Sequence, residues 1–230
     1  TAATTTGQNT WSLAGQTLTG SSTLKVRVAD QTGNTGTTAS KAYVLDTAAP
    51  TTTIASMALS ADNGTSASDF ITRTAAQTIS GTTSAALLSG EIVQISLNNG
   101  STWSTATTTV GQSTWSLAGQ TLTGSNTLKV RVRDAAGNTG TEASKAYVLD
   151  TTAPTTTIAT VALSADTGTS ASDFLTKTAA QTISGTTSAA LQSGEIVQVS
   201  LNNGSTWSTA TSTVGQNTWS VNGTLSAGST

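Results

Sequence analysis

Apolar and polar residues alternate along much of this chain. Val93, Ile95 and Leu97 are separated by Gln94 and Ser96, and Leu128, Val130 and Val132 by Lys129 and Arg131. Successive side chains of a strand point to opposite faces, so a period of two predicts strands with one face in a core and the other in water. No stretch supports a helix by the same test. Asn99-Gly100 follows the first run directly and supplies the positive φ angles that a tight hairpin turn needs, so the returning strand is expected to carry Trp103. Further strands are expected at 51–59, 77–81, 114–117 and 143–149, with Gly, Ser and Thr clusters between them. About seven short strands in about 100 residues predict an all-β fold of antiparallel sandwiches.

The pattern recurs with a period of 104 residues: Trp11 returns as Trp115, Trp103 as Trp207, Phe70 as Phe174 and Asp46 as Asp150. A boundary after the linker aspartate divides the chain into the C-terminal part of a repeat at 1–46, a complete repeat at 47–150 and the N-terminal part of a repeat at 151–230. A complete copy is large enough to bury its own core. Residue 1 falls inside a repeat, so a piece of a longer chain is expected. The third copy lacks the closing strands that the first copy has, which opens the option of head-to-tail self-association between neighbouring chains by strand complementation. Against it, residues 1–22 duplicate sequence already present at 209–230. The alternative is a window from a long array.

Composition narrows the function. Thr and Ser exceed a third of the residues, and Thr fits the pleat through its branched Cβ while its hydroxyl serves the wet face. An ice-binding lattice of ranked Thr fits poorly, because Thr51, Thr52 and Thr53 alternate between faces. There is no Cys and no His, which removes the usual residues of thiol nucleophiles, acid–base relays and zinc sites, so no enzyme is expected. A net charge of −2 with nine scattered basic residues gives no footprint for nucleic acid. No apolar run approaches the ~20 residues of a membrane span.

All eight aspartates fall into four pairs related by the period: Asp30 and Asp134, Asp46 and Asp150, Asp62 and Asp166, Asp69 and Asp173. They occupy the linkers, the loop SADNGTSASDF at 60–70 and the turn Asp134-Ala135-Ala136-Gly137-Asn138, repeated as Asp30 to Asn34. Asp, Asn and Gly in loops suit Ca²⁺, which takes six to eight oxygen ligands; they equally suit turns, where Asp and Asn bond to their own backbone. With strands running up and down, the 60–70 loop would sit at the far pole beside Asp150, and the Asp134 turn at the near pole beside Asp46. A junction would then gather three or four carboxylates, whose repulsion would raise their pKa values unless a cation sat among them.

Asp150-Thr151-Thr152-Ala153-Pro154, SADTGTSASDF at 164–174, GEIVQVSLNNGSTW at 194–207 and VRDAAGNTG at 132–140 resemble the bacterial Ig-like tandem repeats of giant surface adhesins of the biofilm-associated and RTX types. The calcium-dependent extender repeats of an ice-binding adhesin look particularly similar. The resemblance implies tandem Ig-like β-sandwiches on the bacterial cell surface, stiffened by Ca²⁺ at poles and linkers, with Asp30, Asn34, Asp46, Asp62, Asp69, Asp134, Asn138, Asp150, Asp166 and Asp173 as ligands. The first copy departs from the pattern, with Asp30-Gln31-Thr32-Gly33-Asn34 in the turn and Asp46-Thr47-Ala48-Ala49-Pro50 in the linker.

Two Trp per repeat at fixed strand positions read as core rather than as a sugar platform. Phe70 and Tyr147 read as core or pole caps, and Glu91 and Glu195 as solvated edge carboxylates. Pro50 and Pro154 favour short, stiff linkers. The expected function is a structural spacer of an adhesin or fibre, whose partners are neighbouring repeats. The alternatives are a module recognising glycan or protein, a subunit of a head-to-tail filament, and a phage or surface-layer decoration domain. Near-identical loops between copies favour the spacer.

Overall fold

The structure, a computed structural model, describes residues 2–226; Thr1 and residues 227–230, at the outer ends of the two partial copies, lie outside it. The chain divides into two compact units, 1–151 and 152–230. Described residues form strands, turns and irregular segments, with no helix among them. No helix is therefore long and apolar enough to cross a membrane.

In the first copy, β1 (Ala3–Thr4) pairs with β2 (Trp11–Ser12), and β3 (Ser22–Val26) pairs with β4 (Ala39–Tyr43), as two separate hairpins. The middle copy holds β5 (Ile54–Leu59), β6 (Ile71–Thr72), β7 (Ala76–Thr83), β8 (Ile92–Ser96), β9 (Ser104–Thr105), β10 (Thr107–Thr108), β11 (Thr114–Thr121), β12 (Asn126–Arg133) and β13 (Ala143–Leu149). One sheet has the order β10-β11-β7-β5 and the other β6-β13-β12-β8-β9. The chain crosses between sheets repeatedly, and β6 runs parallel to β13, so the connectivity is that of an Ig-like sandwich rather than a simple up-and-down meander.

The alternation seen in the sequence becomes the core. Val93 and Ile95 of β8 and Leu128, Val130 and Val132 of β12 face inwards with Ile79, Leu87, Leu122 and Trp115. The polar face of β12 stays in solvent, where Lys129 and Arg131 each lie 3.3 Å from Glu142. Exposed pairs of this kind contribute little, ~0.2–1 kcal/mol. Phe70 and Tyr147 are buried, as expected, and the Tyr147 hydroxyl donates to the Leu97 carbonyl at 2.8 Å.

Two expectations need correction. Only one Trp of the middle copy and one of the third are core, and Trp11 of the first copy, the counterpart of Trp115, is exposed. Trp115 is buried, but Trp103 lies on the outer face with the Arg131 guanidinium 3.8 Å above its ring. The reason is the turn before it. Asn99 and Gly100 do adopt positive φ (55° and 90°), but the loop they sit in is longer than a tight hairpin, and β8 meets β9 only at Gln94↔Thr105 and Ile95↔Ser104. Trp103 therefore precedes β9 and never enters its alternation.

Glu91 is also not a solvated carboxylate. It is buried, and its Oε2 accepts from the Leu88 amide at 2.9 Å and from the Thr52 hydroxyl at 3.1 Å. Thr52 lies two residues past Pro50, so this carboxylate pins the incoming chain to the sandwich. Glu195 makes the same bonds to Gln192 and Thr156.

The third copy contains β14 (Ile158–Leu163), β15 (Ala180–Thr187), β16 (Gln198–Val199), β17 (Ser208–Thr209), β18 (Thr211–Ser212) and β19 (Thr218–Thr224). One sheet is complete, in the order β14-β15-β19-β18, and the other consists of the β16–β17 hairpin alone. Its core is correspondingly small: Ile183, Leu191, Val197, Ala210 and Trp219.

Candidate metal centre

The loop after β5 is built on one buried amide. The Gln77 Oε1 accepts from the Ser60 hydroxyl at 3.1 Å and the Ala61 amide at 3.0 Å, while its Nε2 donates to the Thr74 carbonyl at 2.7 Å and the Ala61 carbonyl at 3.1 Å. A buried amide with both ends satisfied fixes its surroundings strongly. It closes the neck of the loop, and the Thr72 hydroxyl adds a bond to the Ala61 carbonyl at 2.6 Å. Sequence reasoning passed over Gln77; its signal was the polar residue that opens an otherwise alternating strand in both copies, as Gln77 and Gln181.

The acidic pair sits inside this frame. Asp69 Oδ1 accepts from the Ile71 amide at 2.9 Å and Oδ2 from the Ser66 amide at 3.1 Å. Asp62 Oδ2 accepts from the Phe70 amide at 2.9 Å. Phe70 has φ 65°, a left-handed conformation that costs a bulky residue of the order of 1–3 kcal/mol and clusters at functional loops. The Asp62 carboxyl stands beside that of Asp69, whose pKa is lowered, first by the Ile71 amide. Asp62 Oδ1 is buried with no partner. Gly64 leaves room for this packing, because a Cβ there would lie 2.7 Å from the Ile71 carbonyl and 3.3 Å from Asp69 Oδ1.

The same constellation recurs in the third copy, although that copy lacks the closing strands. Asp166 Oδ2 accepts from the Phe174 amide at 3.0 Å, Asp173 accepts from the Leu175 and Ser170 amides at 3.0 Å, and Asp166 Oδ1 is again buried and unpartnered. The loop therefore supports its own geometry.

The other aspartates are arranged differently. Asp134 Oδ1 accepts from the Gly137 and Asn138 amides at 2.7 and 2.8 Å, and Oδ2 from Asn138 Nδ2 at 2.9 Å. These bonds, led by the Asn138 side chain, lower its pKa. Asp30 is bonded by Thr32 and Asn34 in the same way, and the Asn34 side-chain amide leads a fall in its pKa to about 2. Both carboxylates serve turn geometry. Asp46 Oδ1 accepts from the Ala48 amide at 3.0 Å, capping the linker.

Each linker of the middle copy is bonded to one of the loops that carry aspartates or to its neighbour. Asn138 Nδ2 donates to the Asp46 carbonyl at 3.1 Å, which places the Asp134 turn beside the incoming linker. At the other end, the Asp150 amide donates to the Thr72 carbonyl at 2.9 Å, just beyond the acidic loop. The expected gathering of Asp62, Asp69 and Asp150 is not formed: among the described residues no three acidic side chains stand together. Phe70, next in sequence to Asp69, is packed in the core, with Ile54 and Met57 of β5 against the same cluster. Asp69, Asp134 and Asp173 are shifted down, not up, by the amides that bond them.

A depressed carboxylate pKa gives stability that is fully present above the unfolded value and lost as pH falls through the folded one. For Asp30 that window runs from 3.8 down to about 2. The 30–34 turn is expected to keep its structure at pH 4 and to loosen towards pH 2. The Asn34 amide resonances, followed by NMR across that range, check this; no change by pH 2 would contradict the assignment.

Residues 48–151 match the family model of the bacterial Ig-like domain, a structural fold that is not catalytic. A search among curated proteins found no match. The matched stretch begins and ends one residue later than the complete repeat read from the sequence.

Proposed function

We propose that the chain, with its bacterial Ig-like domain at 48–151, is a structural extender segment of a bacterial cell-surface adhesin or fibre, and that Ca²⁺ bound in its acidic loops stiffens it. The calcium reading is carried by Asp62 Oδ1 and Asp166 Oδ1. Each is a buried acceptor with no donor, beside a second carboxylate, in both copies of one loop. Two ionised carboxyls in contact repel unless a proton or a cation lies between them. A hard cation with oxygen ligands meets that requirement at neutral pH. Asp62 with Asp69, and Asp166 with Asp173, would hold it; the turn carboxylates of Asp134 and Asp30 are engaged by their own amides. The cation supplies positive charge and a cross-link within the loop.

The chain's own residues supply the rest of the stiffness. Thr52 is held by Glu91 on the incoming side, Asp46 by Asn138 at the turn, and Asp150 by Thr72 on the outgoing side. Each linker end is thus bonded to a folded sandwich rather than left loose. Loops that hardly vary between copies suit a spacer, whose partners are the neighbouring repeats.

Calorimetric titration with Ca²⁺ tests the proposal. Heat of binding is expected, with a melting temperature higher in calcium than in EGTA; at ~100 times Kd the gain is about 2.7 kcal/mol. Asp62→Asn combined with Asp166→Asn is expected to remove both. No heat in the unaltered chain, and identical melts in calcium and EGTA, would contradict the role of calcium.

A further inference from the structure

Asn-Gly occurs four times in this chain, at 63–64, 99–100, 203–204 and 222–223. The pair is chemically labile. Glycine has no Cβ to shield its amide nitrogen, and that nitrogen can attack the Cγ of the preceding side chain. The four pairs are identical in sequence and differ in how the fold holds them.

Two are locked. Asn63 Oδ1 accepts from the Arg73 amide at 2.9 Å and the Thr72 hydroxyl at 3.1 Å, its Nδ2 donates to Thr74 Oγ1 at 2.8 Å, and the Gly64 amide donates to the Ile71 carbonyl at 2.8 Å. Asn222 lies within β19, where its Oδ1 accepts from the Thr182 hydroxyl at 2.9 Å and Gly223 is paired with Gln181 of β15. Neither glycine nitrogen can reach its Cγ without opening the acidic loop or the sheet.

The other two are held by a single hydroxyl each. Asn99 and Asn203 are exposed, with φ 55°, and among the described residues their side chains make no hydrogen bond. The Gly100 amide donates to Ser96 Oγ at 2.8 Å, and the Gly204 amide to Ser200 Oγ at 2.8 Å. Ser96 is 1% exposed, so this latch is anchored in the sandwich. Attack requires that the bond open and the Asn99 backbone rotate, a local event at a turn tip. The Lys129 ammonium lies 3.8 Å from where a Cβ on Gly100 would stand, close enough to favour the negative charge that develops there.

We propose that Asn99 and Asn203 are sites of non-enzymatic deamidation, with water as the co-reactant, and that the Ser96 and Ser200 hydroxyls set the rate. The Gly100 nitrogen gives its proton to a solvent base and bonds to Asn99 Cγ. The Cγ–Nδ2 bond breaks, Nδ2 takes a proton from water and leaves as ammonia, and a five-membered imide remains. Water then adds to either imide carbonyl and breaks its bond to nitrogen, which yields aspartate or, through the other carbonyl, isoaspartate. Each conversion adds one negative charge, so both together take the chain from −2 to −4. At position 99 the new carboxylate arises beside Lys129, which now lies 3.3 Å from Glu142, and competes for it. Isoaspartate also adds a backbone carbon where β8 turns towards β9. The chemistry is separate from the spacer role and needs no calcium.

Peptide mapping by mass spectrometry, on the full chain held in EGTA at mildly alkaline pH, reads each site separately. In guanidinium all four sites are expected to convert at similar rates. In the folded chain Asn99 and Asn203 are expected to convert about tenfold faster than Asn63 and Asn222, because the openings they need are smaller. Ser96→Ala is expected to speed conversion of Asn99 about fivefold while Asn203 keeps its rate. Asn63, in the same domain, is the internal control for folding. Conversion of Asn63 or Asn222 as fast as Asn99 in the folded chain would overturn the choice of sites, as would an intact Asn99 once the denatured chain has fully converted. In the Ser96→Ala chain, an unchanged rate at Asn99, or an equal rise at Asn63, would overturn the role of the hydroxyl.

Discussion

Trp115→Ala is expected to destabilise the middle domain by about 3–5 kcal/mol, the usual cost of emptying a large aromatic site in a core, and Trp103→Ala by less than about 1 kcal/mol. Trp115 stands among Ile79, Leu87 and Leu122 in the one continuous core of that copy. Its removal leaves a cavity between the two sheets. Trp103 contributes a ring under Arg131 on the outer face, where solvent replaces what is lost. Chemical denaturation of the two variants, followed by circular dichroism, checks the contrast; equal losses would show that Trp103 has a structural share the packing does not assign to it.

Gly81→Ala is the second large effect, expected at about 1–3 kcal/mol or more. The Trp115 ring edge packs close to the bare backbone of Gly81, and a Cβ there would stand 2.5 Å from Trp115 Cζ2 and well inside contact with the Ser56 carbonyl. Neither neighbour yields easily. Ser56 belongs to β5, whose pairing with β7 opposes Met57 to Gly81, and Trp115 pairs directly with Gly81 on the other side. The methyl must therefore push β5 away from β7 or move the ring. Gly185, packed in the same way against Thr160 and Trp219, is the matching position in the third copy. Thermal melts read the effect, and an unchanged transition for Gly81→Ala would contradict this packing.

Much of the fold could be read from the alternation. β8, β12 and β13 lie where the apolar spacing put them, and Val93, Ile95, Leu128, Val130 and Val132 became core, because a period of two leaves a strand only one way to bury its apolar face. Trp103 was misread because a repeat reveals that a position matters without saying which side of the sheet it faces. That side depended on the length of the loop around Asn99. Glu91 was misread for a related reason. A Glu after Gly looks solvated in sequence, and only the return of Thr52 from 39 residues upstream buries it.

The acidic loop was half legible. Its residues were visible as a repeated set, and its place near the outgoing linker followed from strand order. The path of the loop into Phe70 depends on the left-handed conformation of that residue and on the Gln77 amide. Neither leaves a periodic mark, since an aromatic at positive φ is decided by its hydrogen bonds, not by its propensity.

The claim that calcium stiffens this chain is tested most directly by small-angle X-ray scattering in calcium and in EGTA. The account predicts a longer maximum dimension and a narrower distribution of shapes in calcium, reverting when Asp62→Asn and Asp166→Asn are added. Superimposable scattering curves with and without calcium would contradict it.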